Sequence, residues 1–185
     1  MVRLRLALTL LGVLAAGVAE AQPPLYVGML TPHIGAASGG DVRDKAVTPG
    51  ISLAVLDGSG LGVEVDAGHS RKVDDSLFSE SAITSVMVNA LGMWTGSLVR
   101  PLVVAGVGLL RVRTALAGTE PTSRTDWGFN AGAGATYMFN EEFGVRGDVR
   151  YFRYFQRHAD LPLRDNGFFD YWRTSVGVTL SWPIR

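Results

Sequence analysis

The sequence predicts an all-β fold: an eight-stranded antiparallel up-and-down β-barrel that spans a membrane, preceded by a cleavable signal peptide. Three observations predict it. Apolar residues alternate with small or polar ones at period two in eight stretches, as in strands with two different environments. Aromatic residues sit at both ends of the clearest stretches, with Ala, Val and Gly between them. A soluble sheet buries its aromatics mid-strand, whereas a membrane strand sets its rings at two lipid–water interfaces. The connections also alternate in length, starting long, which is the asymmetry of an up-and-down membrane barrel.

The clearest element is the hairpin Trp127 to Phe155. Phe129, Ala131, Ala133, Ala135, Tyr137 and Phe139 share one face of its first strand. Gly128, Asn130, Gly132, Gly134 and Thr136 share the other. After the turn Asn140-Glu141-Glu142, Val145, Gly147, Val149 and Tyr151 alternate with Arg146, Asp148 and Arg150. An aromatic girdle is expected from Trp94, Trp127, Phe129, Tyr137, Phe139, Tyr151, Trp172 and Trp182.

The remaining strands follow in order. Strand one runs from Tyr26 to about Ala36. Its Pro32 cannot donate to a ladder and predicts a bulge or a strand end. A polar, glycine-rich loop is expected over 37–47. Strand two, about Thr48 to Leu56, sets Ile51, Leu53 and Val55 against Ser52 and Ala54. The turn Asp57-Gly58-Ser59-Gly60 leads to strand three, Leu61 to His69. There Leu61, Val63, Val65 and Ala67 oppose Glu64 and Asp66. A charged loop follows, then strand four, about Ala82 to Trp94, with Met87 and Asn89 opposite Val86, Val88 and Ala90. Strand five, Pro101 to Arg113, is followed by a loop expected over 115–125. After the hairpin and a last long loop, strand eight covers Phe168 to Trp182, with Val176 and Val178 opposite Arg173 and Ser175.

Residues 1–21 carry the marks of a secretory signal: Arg3 and Arg5, an apolar core from Leu6 to Ala16, and the small-x-small site Ala19-Glu20-Ala21. The core is shorter than the ~20 residues of a spanning helix. The mature domain is therefore expected to be 22–185, with a charge of −1 from 15 cations and 16 acids. A near-neutral chain gives no reason to expect nucleic acid. Cysteine is absent, which removes disulfides and thiolate ligands. An exported chain of short alternating segments enters a membrane only as a closed barrel.

With the strands placed, the chain resembles the OmpA-like small outer membrane β-barrel family. The residues that carry the resemblance are Val86 to Ala90 (VMVNA), Pro101 to Gly108 (PLVVAGVG), Gly128 to Tyr137 (GFNAGAGATY), Gly144 to Tyr151 (GVRGDVRY) and Ser175 to Trp182. It implies a monomeric, non-enzymatic protein of the bacterial outer membrane, without a cofactor. Its role would be in the envelope or at the surface, through four long extracellular loops. The implied partners are outer membrane lipids, lipopolysaccharide and the outer membrane assembly machinery. Chains of this kind usually end on an aromatic that the machinery reads, whereas here Pro183-Ile184-Arg185 follow Trp182. No peptidoglycan-binding segment is expected after the barrel, so the resemblance does not imply tethering to the cell wall.

Candidate chemistry lies on the inner faces. Glu64, Asp66, Arg146, Asp148, Arg150 and Arg173 balance in sign, and buried charges are costly unless paired. They are expected to form a charge network that plugs the lumen; a narrow channel for ions or small solutes is the competing reading. His69-Ser70, with Asp74 and Asp75 nearby, allows a lipid A-modifying acyl hydrolase. Adjacent strand residues point to opposite faces, however, and a nucleophile needs its base within reach. His33 and His158 read as isolated, and neither suggests a metal site. The loop charges Arg43, Asp44, Lys45, Arg71, Lys72, Asp74, Asp75, Arg157, Arg164 and Asp165 read as a solvated face or as contacts to lipopolysaccharide phosphates. A soluble lipocalin-like barrel would invert the assignment, with the apolar flank inside and the charges in water.

Overall fold

In the computed structural model, the described residues are 26–40, 42–71, 79–116, 122–155 and 169–184. They form eight strands: β1 (Tyr26–Gly39), β2 (Val42–Leu56), β3 (Leu61–Arg71), β4 (Ser79–Met93), β5 (Val99–Leu116), β6 (Thr122–Met138), β7 (Phe143–Tyr154) and β8 (Asp170–Ile184). Each strand pairs antiparallel with the next, and β1 also pairs with β8, so the sheet closes. Closure leaves no unpaired edge, which a chain in hydrocarbon requires.

The two flanks separate as their chemistry demands. Val63, Val65, Val88, Val103, Val107, Val145, Val149, Val176 and Val178 are exposed on the outer wall. Glu64, Asp66, Asn89, Arg146, Asp148, Arg150 and Arg173 are buried inside. The ionic flank is enclosed and the apolar flank faces outward, the reverse of a lipocalin-like barrel.

Trp127 and Tyr137 stand ten residues apart on β6, as do Trp172 and Trp182 on β8. At about 3.3 Å per residue and a tilt near 40°, each pair brackets roughly 25 Å, the height of an apolar band in such barrels. Trp94, Phe139 and Phe143 lie towards the end of the barrel with the short turns, here the turn end. The opposite end carries the connections after β1, β3, β5 and β7 and is the loop end.

Three expectations are corrected. The segments read as loops at 37–47 and 115–125 are largely strand, because β1, β2, β5 and β6 continue past the bilayer. Outside the hydrocarbon a strand needs no apolar face, so polar composition there mimics a loop while the ladder goes on. The first connection, read as long, is only 40–41 between paired Gly39 and Val42. Gly39 (φ 76°) and Gly40 (φ 57°) take the left-handed backbone that this tight reversal uses. Lastly, Pro32 neither ends β1 nor shifts its register. It faces outward, and the β1–β8 ladder resumes in phase at His33 opposite Gly177. Residues 1–25, Lys72, Asp74, Asp75, Arg157, His158, Arg164 and Asp165, and the side chains of Arg43, Asp44, Lys45 and Arg71, lie outside the described residues.

Candidate functional site in the barrel lumen

The lumen is layered. Towards the turn end Met29, Ala54, Leu56, Leu91, Met93, Leu102 and Val104 pack into one apolar cluster. Towards the loop end a second cluster contains Met87, Leu110, Phe152, Tyr154, Phe169 and Tyr171. The ionic residues lie between the two. The order is visible along β4, where Met87 belongs to one cluster, Asn89 to the charged layer, and Leu91 and Met93 to the other.

The charged layer spans the barrel from wall to wall. β3 and β7 lie four strands apart in the closed eight-strand order and so face each other. Glu64 on β3 meets Arg146 Nη1 and Arg150 Nη1 of β7, each at 2.7 Å, and accepts a bond from Asn89 Nδ2 at 3.0 Å. Asp66, one inward step along β3, accepts from Arg173 Nη2 at 2.7 Å and from Ser52 Oγ at 2.8 Å. Asp148 accepts from Arg150 through Nε and Nη2, both at 3.1 Å, from Arg146 Nε at 3.0 Å and from Ser175 Oγ at 2.9 Å. Arg150 thereby ties Glu64 to Asp148, and its Nη1 lies 3.5 Å from Asp66. The Arg173 guanidinium also stacks over Phe152, 4.9 Å from the ring centroid, joining the layer to the loop-end cluster.

Glycine makes room for this layer. A Cβ at Gly132 would meet Arg150 Cγ at 2.8 Å, one at Gly134 would meet Asp148 Cβ at 2.6 Å, and one at Gly68 would meet Arg173 Nη1 at 2.6 Å. The alternating glycines of β6 are the floor on which the β7 charges lie.

His33 corrects the reading of an isolated histidine. It lies on the inner face of β1, and its Nε2 is 3.2 Å from Asp66 Oδ2. Period two from Met29 and Thr31, both buried, would have placed it in the lumen. Ser52 and Ser175 were likewise legible as inward positions, but a serine carries no charge to draw notice.

His69 and Ser70 diverge. His69 is exposed on the outer wall, with Nδ1 2.9 Å from Thr84 Oγ1. Ser70 is buried inside, 2.7 Å from Thr48 Oγ1. No nucleophile–base contact joins them. Among the described residues, no group of three or more His, Asp or Glu is placed to hold a metal ion.

The aromatic residues form a band outside. At the loop end Phe129, Tyr151 and Trp172 run across β6, β7 and β8, with centroids 6.2 and 5.2 Å apart. Tyr151 donates to Asp170 Oδ2 at 2.7 Å. Trp127 is also exposed at this end, and Trp94, Tyr137, Phe139 and Trp182 are exposed at the other. The Trp182 ring covers Gly28, where a Cβ would sit 2.5 Å from it.

A family model described as "Outer membrane protein beta-barrel domain" matches residues 6–183. No curated protein matches the sequence. Among solved structures, Neisserial surface protein A superposes with a TM-score of 0.63 at 20% identity, covering 87% of this chain and 99% of that one. Ail, the attachment invasion locus protein of Yersinia pestis, gives 0.58 at 11% identity, covering 87% and 100%. OprG of Pseudomonas aeruginosa gives 0.56 at 14% identity, covering 88% and 98%.

Proposed function

Because the chain belongs to the outer membrane protein beta-barrel domain family, and is thus an integral protein of the bacterial outer membrane, we propose that it is a non-enzymatic, sealed envelope barrel that meets its surroundings through its loop end. In this reading residues 1–21 are removed on export, and 22–185 fold with the outer membrane assembly machinery into a monomer. The turn end then faces the periplasm and the loop end the outside. The barrel carries no cofactor.

One observation supports this reading above the others. The lumen is crossed by a paired lattice of three arginines and three carboxylates, with an apolar layer on either side. An eight-stranded barrel is just wide enough for side chains to fill it. A conducting path would have to break several buried ion pairs and wet two apolar layers. The divergence of His69 and Ser70 argues in the same way against acyl hydrolysis.

Planar-bilayer recording tests the seal. The wild-type barrel is expected to give no discrete conductance steps, and Arg146→Ala to give at most sporadic ones. Regular wild-type steps that Arg146→Ala alters would replace this reading with a channel. Lipid A from cells producing the protein should match that of cells producing His69→Ala; a difference would reopen the enzyme reading.

A further inference from the structure

The outer wall of β3 to β6 carries a cationic row at the loop end that a sealed barrel does not need. We propose that Arg111 and Arg113, with Thr84, Ser123 and Thr125 around them, bind the phosphates of the phosphorylated glycolipid, lipid A, of the outer leaflet. The proposal rests on the outer membrane location that the family gives and on the orientation proposed above, with the loop end outside, not on the lumen being sealed.

Direction and register build the row. Arg111 and Arg113 share the outward face of β5 with Val103, Val107 and Leu109, and both are exposed. Arg111 is paired with Thr84 of β4 and Thr125 of β6, and Arg113 with Ser123. Arg111 Nη2 donates to Ser123 Oγ at 3.4 Å, so the two ranks are already in contact. On β3, His69 continues the row through its contact with Thr84.

Height places the row at the lipid headgroups. Val99 is paired with Tyr137 at the turn end and Leu109 with Trp127 at the loop end. The next outward residue beyond Leu109 is Arg111. Among the described outward side chains of β3 to β6, Arg111 and Arg113 are the only Arg, Lys, Asp or Glu, and both lie at the loop end. The turn end of the same wall has none, so the positive charge is confined to the end that the proposed orientation turns outward.

The other wall supplies the contrast. Phe129, Tyr151 and Trp172 anchor β6 to β8 at the loop-end interface, and the outward charges there, Arg153 and Asp170, are of opposite sign and face each other in the β7–β8 ladder. At that level the described outward residues of β3 to β5 include no Phe, Tyr or Trp. Here the anchor is cationic. Two guanidinium groups on one strand face, about 7 Å apart at the backbone, repel each other unless an anion lies between them. Their long stems let the charge rise from the apolar band, and the guanidinium fork fits phosphate bidentately. The flanking hydroxyls add donors for sugar and phosphate oxygens.

Native mass spectrometry of the folded protein in detergent tests this with three added lipids: bisphosphorylated lipid A, the same lipid dephosphorylated, and phosphatidylglycerol. Wild type should retain bisphosphorylated lipid A in preference to both others. The double variant Arg111→Gln/Arg113→Gln should bind it on the order of tenfold more weakly. Arg111→Lys/Arg113→Lys should recover part of the loss, since charge returns without the fork. Heat-modifiable gel mobility establishes that each variant is folded, and both positions face outward, away from the packed lumen. Equal retention by wild type and the Gln variant overturns the proposal, as does equal binding of dephosphorylated lipid A. Phosphatidylglycerol bound as tightly as lipid A overturns the choice of ligand.

Discussion

The inner and outer walls of this barrel are made by the same eight strands yet obey different rules. The outer wall answers to a solvent. Away from the aromatic band and the Arg111–Arg113 row, any residue of the right polarity at a given depth serves, as at the exposed Ala131, Val149 and Val176. The inner wall answers to particular partners. Arg150 is held by two carboxylates from opposite sides of the lumen, over a glycine that leaves it room. The outer wall should therefore be tolerant and depth-dependent, and the inner wall intolerant and position-dependent.

The most severe break is expected inside. Arg150→Ala leaves Glu64 and Asp148 each short of a partner in a water-poor lumen. Removing one member of a buried ion pair costs about 3–5 kcal/mol. Urea unfolding in detergent, followed by heat-modifiable gel mobility, should show that loss. The double variant Glu64→Gln/Arg150→Gln keeps the lattice neutral and should lose less than the two single changes together. Strict additivity would mean that the pair is not coupled, and the picture of a specific inner wall would fail.

Next comes a charge set on the outer wall. Ala131 stands near mid-height on β6, between Trp127 and Tyr137. Ala131→Arg should cost about 2–4 kcal/mol in a bilayer, whereas Thr125→Arg at the loop-end rim should cost about 0–1 kcal/mol. Folding equilibria in lipid vesicles would read the difference. Equal costs at the two depths would deny that Trp127 marks the interface.

How much of this was legible in the sequence follows from the same contrast. The strands, their faces and the charged residues of the lumen can be read because period two records a difference in polarity across the sheet. That difference exists only inside the bilayer. Beyond it, β1, β2, β5 and β6 run on with water outside, and their polar residues read as loop. The pairing within the lumen lay further from reach. Arg150 and Glu64 are 86 residues apart, and only closure of the sheet brings β7 opposite β3. His33 was missed for a similar reason: its partner Asp66 is two strands away, and nothing local to β1 announces it.

Glycine gives a smaller test of the contrast. A Cβ at Gly132 would meet Val149 O at 2.5 Å and Arg150 Cγ at 2.8 Å, while one at Gly147, on the outer wall, has its nearest neighbour, Ser175 O, at 3.8 Å. Gly132→Ala should cost about 1–3 kcal/mol through overpacking. Gly147→Ala should be nearly silent in the same urea assay. A silent Gly132→Ala would mean that the β7 charges have slack, and that the glycines of β6 are not there to seat them.

The smallest effect is expected where neither wall rules, in the turns. Asp57 Oδ1 accepts from the Ser59 hydroxyl at 2.6 Å and from the N–H groups of Ser59 and Leu61 at 2.9 and 3.1 Å. The Ser59 hydroxyl, assisted by these N–H groups, holds the Asp57 carboxyl below its ordinary range. A carboxyl depressed on folding stabilises the fold fully above its unfolded value, near 3.8. That contribution fades as the pH falls through the lower folded value. Asp57→Ala should thus lower the urea midpoint slightly at neutral pH, and the gap to wild type should close in strong acid. The turn is fully exposed, so solvent screening keeps the effect small. A gap that stays constant across the acid range would assign it to the turn's backbone shape, not to the charge on Asp57.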